Sequence, residues 1–70
     1  MEGIDFIVWV RMSLGEMGLS INWLSEKTGY SRETLSRVLN GKIKASLKLK
    51  KTVIDIINDE RTKRFLSKDG

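Results

Sequence analysis

Apolar positions along the chain recur at helical rather than strand spacing. From about Ile4 to Met17, Phe6, Val10 and Leu14 fall every four residues, with Ile7 and Met17 alongside, which marks one face of a helix. Val8, Trp9 and Met12 broaden that stripe, so this helix is expected to be apolar over much of its circumference. Glu2 and Asp5 near its start suit the positive end of the helix dipole. A second segment of about two turns follows Ser20, a good N-cap, and runs from Ile21 to Thr28 before Gly29. A third follows Ser31 and runs from Arg32 through Asn40, with Leu35, Val38 and Leu39 on one side and Gly41 as its stop. A fourth follows Ser46, with Leu49, Val53, Ile56 and Ile57 on one face and Leu47 and Ile54 beside it. Asn58-Asp59-Glu60 is compatible with the cap of a fifth helix bearing Phe65 and Leu66, and equally with an uninterrupted continuation. Lys68 to Gly70 is expected to fray. No segment keeps a two-residue alternation. The fold class expected is therefore all-α, a compact bundle of four to five short helices.

Composition narrows the function classes. A chain of 70 residues is one domain, 1–70. With 40% hydrophobic and 31% charged residues it has the balance of a folded soluble domain. There is no cysteine and no histidine, which removes disulfides, thiol chemistry, zinc fingers and histidine general acid–base catalysis. No glycine-rich phosphate loop is present either, so no catalytic residue, metal or cofactor is expected. The longest N-terminal apolar run, Phe6 to Val10, follows two acids and is far shorter than a membrane span of ~18–20 residues. The expected compartment is the cytoplasm, with no membrane partner.

The distribution of charge says more than its sum. The whole chain carries +4. Residues 1–30 hold four acids and two bases, and residues 55–70 hold four of each. Residues 31–54 hold seven bases and one acid, a net of +6. Concentrated positive charge is the electrostatic footprint of a nucleic-acid or anionic-surface binder, although lysine is also an ordinary surface residue.

The most informative stretch is 20–41. Two short capped helices are separated by Gly29-Tyr30-Ser31, and so short a turn forces a steep crossing, as in a helix-turn-helix. Ser25 is small where the backbones approach, Gly29 supplies the backbone angle the turn needs, and Leu24, Leu35 and Val38 fall where a shared core requires them.

The run Ser31-Arg-Glu-Thr-Leu-Ser-Arg-Val-Leu-Asn-Gly41 resembles the recognition helix of the lac-repressor family. Its asparagine-glycine ending also resembles the Cro/cI-type (XRE-like) family of lambda-repressor-like DNA-binding domains. The second resemblance covers roughly Phe6 to Ile57, because that family places a helix before the helix-turn-helix and this chain has about 18 residues there. Lac-type repressors continue into a sugar-binding domain, for which 70 residues leave no room. Four positions depart from the family pattern. Ile21 stands where a phosphate-holding glutamine is frequent, Thr28 and Tyr30 stand where aliphatic residues are usual, and Lys50 stands where leucine is frequent, with Leu49 available for that packing role.

The resemblance implies a sequence-specific regulator of transcription, a repressor of phage, plasmid or bacterial origin, whose partner is double-stranded DNA and which pairs as a homodimer at least on DNA. Helix 31–40 would enter the major groove, with Arg32, Glu33, Ser36 and Arg37 as candidates for base edges. Arg37 could equally pair with Glu33 one turn away. Phosphate candidates are Asn22, Ser31, Thr34, Asn40, Lys42 and Lys44, with Ser31 first of all a cap. C-terminal helices are expected within 46–67. Ile54, Phe65 and Leu66 exceed what a small core needs and are candidates either for capping it or for a dimer contact. Trp23 could pack on the first helix or lie along the sugar-phosphate backbone, with the core favoured. The competing reading is a protein-interaction module on the same fold, using Trp9, Trp23, Ile54 and Phe65 to engage a protein partner.

Overall fold

A computed structural model describes the backbone of residues 3–69 and the side chains of residues 6–66. Among these residues there are four helices and no strand: α1 (Gly3–Met17), α2 (Ile21–Thr28), α3 (Arg32–Leu39) and α4 (Leu47–Asp69). No helix is long and apolar enough to cross a membrane. The expectation that Glu2 and Asp5 meet the start of α1 falls on side chains outside those described.

Each boundary has a local cause. Ser20 and Ser31 sit in extended backbone, and their hydroxyls accept from the N–H groups of Trp23 and Thr34. Ser46 does the same for Leu49 at 3.1 Å. Each hydroxyl satisfies one of the donors that a helix start leaves without an intrahelical partner. At the other end of α3, Gly41 takes φ +74°. Its N–H donates to the Val38 carbonyl, and the Lys42 N–H reaches back to the Arg37 carbonyl at 2.8 Å. This pair of bonds is a Schellman closure, and it needs a left-handed residue at Gly41.

The core consists of Phe6, Val10 and Leu14 of α1, Leu24 of α2, Leu35, Val38 and Leu39 of α3, and Leu49, Val53 and Ile57 of α4. Burial follows the four-residue spacing of each helix, because only one stripe of a helix can face its neighbours. Leu49 takes the packing position that Lys50 leaves open, and is buried. Two expectations for α1 are corrected: Val8 and Met12 are exposed, so the buried stripe is narrower than the sequence suggests. Ile7, Trp9 and Met17 flank it, half-buried. One polar side chain, Ser13, is buried among these residues, and it accepts from Arg61 Nη2 of α4 at 2.8 Å.

Among the described residues the helices number four. Asn58-Asp59-Glu60 does not interrupt α4, which runs on through Asp69 past the point where fraying begins to be expected. Asp59–Lys63 and Glu60–Arg64 ion pairs one turn apart run through this region. At ~1.5 Å per residue the 23 residues of α4 span roughly 34 Å. That helix accounts for most of the 41 Å long axis of the molecule. It packs against α1 and α2, whereas α3 packs against α2 and α1. The outer side of α3 is thereby left uncovered.

Candidate nucleic-acid interface

The turn between α2 and α3 is held by side chains as well as by Gly29. Ser25 Oγ donates to the Tyr30 carbonyl at 2.7 Å. Thr28 Oγ1 donates to the Leu24 carbonyl at 2.8 Å and accepts from the Tyr30 N–H at 3.2 Å. Gly29 sits at φ +84°. Thr28 therefore has a definite task at a position where an aliphatic residue would only pack: it closes the end of α2 and fixes the exit of the chain. These bonds set the angle at which α3 leaves α2.

On α3, Leu35, Val38 and Leu39 face the core, and the opposite side carries the polar candidates. Arg32 is exposed and makes no hydrogen bond or ion pair among the described residues. Its guanidinium donors, in a planar fork, are free for an acceptor pair. Arg37 Nη2 donates to Glu33 Oε2 at 3.1 Å, and both side chains are more than half exposed. In such solvent the pair contributes little to stability, but it ties Arg37 to Glu33 and partly neutralises it. Ser36 is half-buried between Arg32 and Asn40, and accepts weakly from Asn40 Nδ2 at 3.4 Å.

The phosphate candidates divide by what else they do. Ser31 Oγ caps α3 and donates to Thr34 Oγ1 at 2.8 Å, so both hydroxyls are already engaged with each other. Asn22 is exposed in the first turn of α2, where backbone N–H groups point outward. Lys42 and Lys44 are exposed on the loop after α3. Asn40 has a structural task as well: its Oδ1 accepts from Arg11 Nη2 at 2.9 Å, and the same nitrogen donates to the Leu39 carbonyl at 2.8 Å, while its exposed Nδ2 has only the 3.4 Å contact to Ser36. Arg11 thus ties α1 to the end of α3, a role the sequence analysis missed. The only signal was an arginine set between Val10 and Met12 in an otherwise apolar run.

The remaining candidates lie elsewhere. Trp23 is half-buried and shares a groove with Lys27 and with Ile56, Asp59 and Glu60 of α4, so its neighbour is α4 rather than α1. Ile54 is half-buried against the core, whereas Phe65 and Leu66 are 68% and 63% exposed near the far end of α4. The three dimer candidates therefore do not form one surface of equal exposure. Among the described residues no group of acids, cysteines or histidines could hold a metal ion.

Compared with protein-family models, with curated proteins and with solved structures, the chain matches none.

Proposed function

We propose that this chain is a sequence-specific regulator of transcription that binds double-stranded DNA and reads the major groove with α3. One observation carries the proposal: α3 spends its apolar side on the core while its uncovered side holds Arg32 with free donors, next to the exposed Glu33–Arg37 pair. An arginine at the start of a helix opposes the helix dipole, so its placement favours a partner outside the fold. Arginine pairs bidentately with guanine in the major groove, and N-terminal residues of a recognition helix are those that reach base edges.

Asn22, the amides at the start of α2, and Lys42 and Lys44 on the loop would grip the phosphates on either side. The net +6 over residues 31–54 supplies long-range attraction and most of the affinity, with the base contacts supplying discrimination. Asn40 serves this interface by fixing the end of α3 through Oδ1, and its exposed Nδ2 remains a donor for phosphate. Two copies joined through Phe65 and Leu66 would present two recognition helices to half-sites about one turn, ~34 Å, apart. Such a regulator acts in the cytoplasm by occupying its operator.

Selection from a pool of random duplexes at two salt concentrations tests the reading. Enrichment of a paired motif with a ten- to eleven-base-pair repeat is the expected result. Weak binding without enrichment would reduce the basic face to a non-specific field, and no binding would end the proposal.

The exposed Phe65 and Leu66 also favour a second reading, a module that engages another protein. A partner retained in high salt without DNA would support it, since phosphate-driven binding collapses over that range.

A further inference from the structure

A furrow runs along the first two turns of α4 and the loop that follows α3. Its larger part, about 580 Å³, has an apolar floor that includes Phe6, Ile7, Val38 and Ile43. Its smaller part, about 310 Å³, continues past Leu47 and Ile54. Phe6 and Lys50 line both parts, so the two adjoin across these side chains. Both parts are partly open to solvent, whereas a small-molecule site buries most of its ligand's surface. Two of its apolar residues are unusually exposed: Leu47 at 85% and Ile43 at 44%. Lysines 42, 44, 50 and 51 line it, and none makes an ion pair among the described residues. The acid described at its edge is Asp55.

Exposed apolar residues framed by lysines that make no ion pair among the described residues are complementary to a chain segment bearing apolar side chains framed by carboxylates. The groove beneath Trp23 lacks this character: it has Asp55, Asp59 and Glu60 beside Lys27 and Lys63 and is slightly acidic. We propose that the furrow along α4 docks an acidic amphipathic segment of a partner protein, with Ile43 and Leu47 as apolar anchors and Lys44 and Lys50 as the charges that select it. Anchors of this kind dominate affinity, while the charged rim sets partner choice and encounter rate. This docking stands independently of DNA binding. One consequence rests on the DNA reading: Lys42 and Lys44 cannot serve phosphates and a docked acidic segment together, so the partner would compete with DNA and relieve the site.

The test is selection of a random peptide library on the immobilised full chain without DNA. Peptides combining Asp or Glu with Leu, Ile or Phe should be enriched. The best of them, labelled, should lose about tenfold in affinity, the equivalent of one good contact, to Lys44→Glu/Lys50→Glu and also to Ile43→Ser/Leu47→Ser. Amide shifts on titration should map to residues 6–7, 43–47 and 50–54, with circular dichroism showing the variants still folded. Enrichment of basic or neutral peptides, no enrichment at all, or indifference to either pair of substitutions would overturn the proposal. Loss to the lysine pair alone would reduce it to unspecific charge and overturn it too. Displacement of a bound duplex by the same peptide tests the consequence. A peptide that docks on a chain without DNA affinity would refute the DNA reading and leave the furrow standing.

Discussion

Arg11 of α1 and Asn40 at the end of α3 are joined by a hydrogen bond of 2.9 Å in which Nη2 donates to Oδ1. The bond matters because of what the same nitrogen does next, donating to the Leu39 carbonyl at 2.8 Å. The Schellman closure satisfies the carbonyls of Arg37 and Val38, and Arg11 takes the one after them. The end of α3 is thus finished by a residue from another helix.

Arg11→Ala should loosen that end. Leu39 would keep a partly buried carbonyl without its donor, at a cost of about 1–2 kcal/mol. Arg11→Lys should recover only part of this, because a single ammonium does not reproduce the guanidinium fork. Urea denaturation measures the loss. Hydrogen exchange should show the amides of Gly41 and Lys42 opening sooner while those of the core stay protected.

The Arg61–Ser13 bond predicts an asymmetry. Ser13 is buried, whereas Arg61 is 44% exposed and also donates to Glu16 at 3.2 Å. Removing the arginine strands a buried hydroxyl, at about 1–3 kcal/mol; removing the hydroxyl leaves an arginine that water can reach, at about 0.5–1 kcal/mol. Arg61→Ala should therefore destabilise more than Ser13→Ala in denaturant titrations. The reverse order would show that Arg61 is not the partner Ser13 depends on.

Gly29 is held at φ +84° with nothing within 4 Å of the position a Cβ would take. The cost of Gly29→Ala is then backbone strain without a clash, about 1–2 kcal/mol. Asparagine tolerates the left-handed region better, so Gly29→Asn should cost less. Comparing the two melting curves separates strain from crowding.

For the DNA reading, Arg32→Ala and Arg37→Ala should each cost about 1–3 kcal/mol on the selected operator and relax preference at one base position. Lys42→Ala should weaken all duplexes alike and reduce the salt slope by about one. Binding isotherms on operator and scrambled duplexes at several salt concentrations distinguish these. Unchanged operator affinity in both arginine variants would remove α3 from the interface.

If Phe65 and Leu66 join two copies, Phe65→Ser/Leu66→Ser should shift sedimentation toward the monomer. The monomer's own stability should hardly change, since both side chains are already solvated in it. A chain that sediments as a monomer at all concentrations, with and without a duplex, would rule the contact out.

How much of this was legible in the chain follows from the range of the interactions. The caps at Ser20, Ser31 and Ser46 and the stop at Gly41 act over three to five residues, so the residue types at those spacings announce them. The core stripe was legible for the same reason, since helical periodicity alone decides which side chains share a face. Glu33 and Arg37, one turn apart, were also within reach of the sequence. The continuity of α4 was not. Asn58-Asp59-Glu60 is rich in cap-forming types, and the choice between capping and continuing turns on a few tenths of a kcal/mol per residue. Packing of Ile56 and Ile57 on one side and the ion pairs to Lys63 and Arg64 on the other lie with the continuous helix.

What tertiary structure alone decided are the contacts between distant residues. Arg11 meets Asn40 across 29 positions and Arg61 meets Ser13 across 48. The apolar run around Arg11 hints at a role but does not name its partner, and nothing near Ser13 distinguishes an exposed serine from the buried one. The width of the α1 stripe, the groove that Trp23 shares with α4, and the furrow of lysines and aliphatic residues were fixed in the same way. Each depends on how helices cross, and the crossing is set by the sum of all their packed side chains rather than by any local run of sequence.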